Sequence, residues 1–245
     1  MKFLECSGNI NNFLESDWTI QEIFDSCRLA GMDYDAERFD TLRITFDEKT
    51  SLLANRLVLT DNKEDTSAII WPSGICLALY LHNNVEIMRD KFVIELGAGA
   101  ALPAQICERY ANKVIIQDRV KFYSNHLPTI ISDWNSELAM RFNGQVDLIL
   151  GADVTYDDAS FGPLMALISM IMKKDEGICV LAHQDRNIHS TLEPYLKLFS
   201  LKTISCLPFL DAVSSELLVK FLGYNPNLED SIHAPIFIIT IAHCQ

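Results

Sequence analysis

The run KFVIELGAGAALP, residues 91–103, constrains this chain more than any other segment. Its first half is continuously apolar, which marks a strand covered on both faces rather than one alternating between core and water. The run then bends through Gly97 and Gly99 and resumes as a helical stretch read over Leu102 to Tyr110. A buried strand that passes into a helix belongs to a crossover unit, and such units build a mostly parallel sheet with helices on both faces. From Trp71 onward the same alternation holds. The helix WPSGICLALYLHNN starts near Pro72, whose missing N–H is harmless in a first turn, and Asn83 and Asn84 suit its end. Further strands are read in KVIIQ, TIIS, VDLILGA, GICVLA, KTISCL and PIFIITIA, with helices in PLMALISMIMKK and STLEPYLKLF and a short one in DRVKFYSNH. The expected fold class is therefore α/β.

Ahead of this domain, placed at residues 67–245, an extension over residues 1–66 reads differently. Its first forty residues have helical spacing, with Ile20, Ile23, Phe24 and Cys27 on one face and Gly31 as a stop. The period then changes to two at Leu42, Ile44 and Phe46, and a second apolar run at Leu57 to Leu59 predicts a β-hairpin.

Composition limits the function classes. With 49% hydrophobic and 22% charged residues, a packed soluble interior is expected. Polar residues interrupt the first positions as they would not in a secretory signal, and no apolar run approaches membrane-spanning length. A cytoplasmic monomer follows as the expectation, with the nucleus left open. The net charge of −13 disfavours a surface that tracks phosphates, so nucleic acid is not the expected partner. Residues 1–70 carry 14 acidic and 7 basic side chains, a face for a basic protein partner or simply a solvated surface. Seven scattered cysteines form no CxxC pair; buried free thiols are expected, with no metal site. Among the six histidines, His183 alone falls near a probable site.

That site is read at the strand tips. Glu95, Gly97, Ala98 and Gly99 occupy the junction of buried strand and helix, where glycine permits positive φ and lets a ligand lie against the backbone. The dinucleotide fingerprint is incomplete, because Leu102 stands where GxGxxG needs its third glycine. A ligand smaller than a dinucleotide is implied. Asp118 ends the next strand, 21 residues after Gly97, which places a carboxylate to accept hydrogen bonds from two ribose hydroxyls. Trp71, Trp134 and the segment GADVTY fall where the same ligand would need them.

From IWPSGICLALYL through ELGAGAALP, VIIQD, DW and DLILGADVTYD, the chain resembles the seven-strand, Rossmann-like methyltransferases called methyltransferase family 16. That group includes the methyltransferase-like protein 21 lysine methyltransferases and the methyltransferase-like protein 23 arginine methyltransferase. The resemblance spans roughly residues 68–185 and implies S-adenosylmethionine as cofactor, S-adenosylhomocysteine as product, and a protein lysine or arginine as acceptor. It implies that Trp71 borders the methionine end and that Gly97 to Gly99 line the cofactor, with Glu95 beside them. Asp118 would bind ribose, Trp134 would stack on adenine, and Ala152 would present its backbone. Asp153 and Tyr156, the family's Asp-x-x-Tyr element, would be catalytic beside the methyl group. Plainer roles stand beside these: core packing for the tryptophans, a helix N-cap for Asp153, and loop solvation for Asp157 and Asp158. One departure is the short interval of 15 residues between Asp118 and Trp134, about half what the family has. Together with Thr155 and Gln117 at positions less usual for the family, it motivates a second expectation, a cofactor-binding scaffold without turnover; methylation of a nucleobase or metabolite is a third.

Overall fold

The computed structural model describes residues 15–17, 38–45, 51–58, 71–119, 127–184, 192–214 and 235–244. Three strands come first: β1 (Glu15–Asp17), β2 (Arg38–Thr45) and β3 (Ser51–Val58). The expected hairpin is β2 and β3, paired antiparallel from Arg38 opposite Val58 to Thr45 opposite Ser51. The helical reading of the first forty residues fails at Glu15–Asp17, which pair in parallel with Thr41 to Arg43. Three polar residues on a sheet edge leave no apolar period to read. The helix expected around Ile20 to Cys27 lies outside the described residues.

The main domain follows as α1 (Pro72–Asn83), β4 (Phe92–Leu96), α2 (Leu102–Cys107), β5 (Lys113–Asp118), β6 (Thr129–Ile131) and α3 (Ser136–Phe142). After these come β7 (Leu148–Ala152), α4 (Asp158–Ile171), β8 (Ile178–Gln184), α5 (Glu193–Leu198), β9 (Leu201–Pro208), α6 (Phe209–Ala212) and β10 (Ile236–His243). The seven strands of this sheet run in the order β6-β5-β4-β7-β8-β10-β9. All pairings among β6, β5, β4, β7 and β8 are parallel, and β10 is antiparallel to both its neighbours.

Period-two burial explains why the apolar runs are continuous. Val93, Val114, Ile116, Leu148, Leu150, Val180 and Ala182 join Ile75, Leu79, Leu102 and Ile106 of α1 and α2 in one core. Their strand neighbours Ile94, Ile115, Ile149, Cys179 and Leu181 join Leu138, Phe142, Leu164 and Ile168 of α3 and α4 in the other. Each strand thus feeds two helical layers. Leu52 of β3, 3% exposed, enters the first core, so the hairpin packs on the domain.

Several helices differ from expectation. The helix α3 was not expected at all: Asn135 caps it by accepting from Leu138 N (3.0 Å), but seven residues are too few to display a period. The helix α4 starts at Asp158 and runs through Pro163, rather than starting there, because the cap lies upstream. The helix α2 stops at Cys107, short of Tyr110. Cys76, Cys107 and Cys179 are buried and burial raises their thiol pKa values, whereas Cys206 and Cys244 are exposed, against expectation.

Candidate functional site

The carboxyl ends of β4, β5 and β7 open on one cavity of about 540 Å3, within the roughly 300–1,000 Å3 typical of small-ligand sites. Its lining includes Trp71, Glu95, Gly97, Ala98, Gly99, Asp118, Trp134, Ala152, Asp153 and Tyr156, the ten positions given cofactor or catalytic roles from the sequence; His183 is not among the lining residues.

The bend after β4 is held from several sides. Gly97 and Gly99 have φ of +59 and +48, and Ala101, at +53, closes the turn before α2. Left-handed backbone of this kind favours glycine. Packing imposes a second demand on Gly97: a Cβ there would sit 2.8 Å from Val154 Cγ1 and 3.6 Å from Trp134 Cζ2. Gly151 of β7 is under the same pressure, since its Cβ would lie 2.8 Å from Val154 Cγ2. Val154, buried and unread in the sequence, is therefore the wedge that both glycines accommodate.

Glu95 is 1% exposed and its Oε2 accepts the Ala104 N–H at 2.7 Å. Burial pushes its carboxyl up to about 8; the nearby Asp118 adds to the rise and the Ala104 N–H opposes it. Asp118 is half-buried at the tip of β5, where Oδ2 accepts from Gly99 N (2.8 Å) and Oδ1 from Arg119 N (2.6 Å). A carboxylate has about four lone-pair sites, so both oxygens retain capacity for hydroxyl donors. Trp134 Nε1 donates to Gln117 Oε1 at 2.9 Å while its ring packs against the second core. The core-packing and pocket roles of Trp134 thus coincide.

At the other end, Trp71 stands immediately before Pro72, the first residue of α1. Beyond β7, Asp153 has φ +55 and is 7% exposed, with its N–H bonded to Ala182 O at 2.9 Å. It is not a helix cap. Asp157 holds that role for α4, its Oδ1 accepting from Ala159 N (3.2 Å) and its Oδ2 from Ser160 Oγ (3.1 Å), so loop solvation does not describe it either. Tyr156 is 48% exposed on the cavity wall. Thr155, 1% exposed, pairs its Oγ1 with His183 Nδ1 at 2.7 Å, tying the end of β8 to this loop.

The profile of a family described as lysine methyltransferase matches residues 54–200. The mouse (Mus musculus) protein-lysine methyltransferase METTL21E is 25% identical over 64% of this chain and 73% of its own length. The mouse histone-arginine methyltransferase METTL23 is 27% identical over 55% of this chain and 60% of its own. For the mouse protein N-lysine methyltransferase METTL21A the figures are 27%, 52% and 67%. Among solved structures, a SAM dependent methyltransferase from Archaeoglobus fulgidus superposes with a TM-score of 0.50 at 15% identity, covering 70% of this chain and 94% of its own. At that identity the likeness concerns the fold alone.

Proposed function

We propose that this chain, which belongs to the lysine methyltransferase family, binds S-adenosylmethionine in the cavity at the β4, β5 and β7 tips and methylates a protein side chain. The observation that carries the reading is the convergence of ten positions, chosen from residue type and spacing and from the family resemblance, on one wall.

The lining suits the group. Asp118 and Asp153 give the wall an acidic character for a cationic ligand, and the bend at Gly97 to Gly99 leaves backbone in place of side chains beside it. When bound, the cofactor supplies a methyl group activated on a sulfonium, which passes to an acceptor nitrogen as the S–C bond breaks. Asp118 would hold the ribose hydroxyls and Trp134 the adenine face; Trp71, Glu95, Ala98 and Ala152 complete the enclosure.

The acceptor must lose its proton to be a nucleophile. A lysine is neutral about one part in 2,500 at pH 7, a cost of about 4.6 kcal/mol, whereas for arginine the cost exceeds about 7 kcal/mol. Desolvation lowers the first readily. The second needs a carboxylate fork to hold and polarise the guanidinium as its proton leaves, on top of the larger cost. We therefore read the acceptor as a lysine on a basic surface, with Asp153 and Tyr156 orienting it.

The test is transfer of labelled methyl from S-adenosylmethionine into protein in a cell extract, followed by mass spectrometry of the modified residue. Methyl-lysine is expected, and Asp153→Ala is expected to lower kcat at least ten-fold while the S-adenosylhomocysteine Kd changes less than three-fold. Methyl-arginine would overturn the acceptor assignment. Binding without transfer would leave a cofactor-binding scaffold.

A further inference from the structure

We propose that Gln117 is a positioning residue for the adenosine end of the cavity, its carboxamide fixing the Trp134 indole against the glycine bend and thereby setting cofactor affinity. The inference rests on the cofactor reading given above.

Gln117 is the last residue but one of β5 and is 1% exposed. Its Oε1 accepts two hydrogen bonds, from Trp134 Nε1 at 2.9 Å and from Gly97 N at 3.3 Å, and its Nε2 donates to the Ser132 carbonyl. The orientation of the amide follows from its partners. Two N–H donors converge on one atom and a carbonyl oxygen meets the other, so a flipped amide would set hydrogens against hydrogens. One side chain thus joins the bend after β4, the chain leaving β6 and the indole.

The topology shows why this chain needs such a link. The strand β6 has only three residues and pairs with β5 over Thr129 to Ile131. Beyond them a single backbone bond, Ser132 N to Asp118 O at 3.0 Å, continues the ladder before the chain turns to Trp134. Gln117 adds the next rung from a side chain. Its effect reaches the cavity directly, because Trp134 Cζ2 stands 3.6 Å from where a Cβ on Gly97 would be. The neighbouring Asp118 holds the same bend through Gly99 N. Two consecutive side chains of β5 therefore grip the two glycines of the bend, one of them also carrying the indole.

The test is Gln117→Leu, which keeps bulk and removes the hydrogen bonds. The chain has three tryptophans, so its 15N–1H spectrum holds three indole resonances, and Trp134→Phe assigns the relevant one. In Gln117→Leu that resonance is expected to move while that of Trp71 stays. The Kd for S-adenosylhomocysteine by calorimetry is expected to weaken about ten-fold, and KM for S-adenosylmethionine to rise in step with it while kcat stays within about two-fold. Should the leucine variant fail to fold, Gln117→Asn carries the test, since it keeps the amide but withdraws it from both donors; the same shift and loss are expected. A folded variant with an unmoved indole resonance, or with Kd within two-fold of wild type, overturns the inference. A wild-type chain that does not take S-adenosylhomocysteine overturns the cofactor reading, and this inference with it. Wild-type binding with unchanged variants overturns this inference alone.

Discussion

Two non-glycine residues on the cavity wall, Ala101 and Asp153, hold positive φ. Alanine gains nothing locally from that conformation, so the surrounding packing must impose it, as happens where backbone is pre-set around a ligand. Glu95 is a third residue held against its own preference. Its carboxyl is pushed up to about 8 from an ordinary 4.5, chiefly by burial. The folded chain therefore keeps this proton where the unfolded chain has lost it. Its contribution to stability is complete below about pH 4.5 and is lost as pH rises towards about 8, at up to about 1.4 kcal/mol per pH unit. Other carboxylates tilt the profile too, so the difference between two chains is the useful quantity. Glu95→Gln keeps an acceptor for Ala104 N without the titration, and urea midpoints are expected to favour it more at pH 8.5 than at pH 5. A pH-independent difference would show that Glu95 ionises normally.

Among the elements, α4 sets the far wall of the cavity, and its first turn depends on Asp157. Asp157→Ala is expected to cost about 0.5–2 kcal/mol of unfolding free energy, and Asp157→Asn much less, since asparagine caps as well. Chemical denaturation decides it; equal losses would mean that the carboxylate charge, not the cap, matters. The same helix shows where sequence is legible. Strands β4, β7 and β8 announce themselves because burial on both faces demands continuous apolar residues. Pro163 misplaces the start of α4, since proline favours a first turn yet is tolerated here one turn later. The strand β1 and the helix α3 are too short for their periods to register.

For the whole molecule, sheet order governs the site. The chain leaves β4 for β5 and β6 on one side, then returns to place β7 on the other, so the crevice opens at the carboxyl ends where the direction reverses. That is why Gly97, Asp118 and Asp153, far apart in sequence, share a wall. Residues with a spacing signature were legible in advance: the glycine bend, the carboxylate at the next strand tip, the segment after β7. Val154 was not, and Gln117 stood out only as a departure from the family's usual residue, because a wedge and a bridging amide have no pattern until the strands are side by side. The sheet-level claim is that this wall holds a sulfonium nucleoside through the β5 carboxylate. Calorimetric titration of S-adenosylhomocysteine into the wild-type chain and into Asp118→Ala, with matched unfolding midpoints, tests it most directly. Saturable one-to-one binding by the first and none by the second is predicted; equal affinities, or no uptake by either, would contradict it.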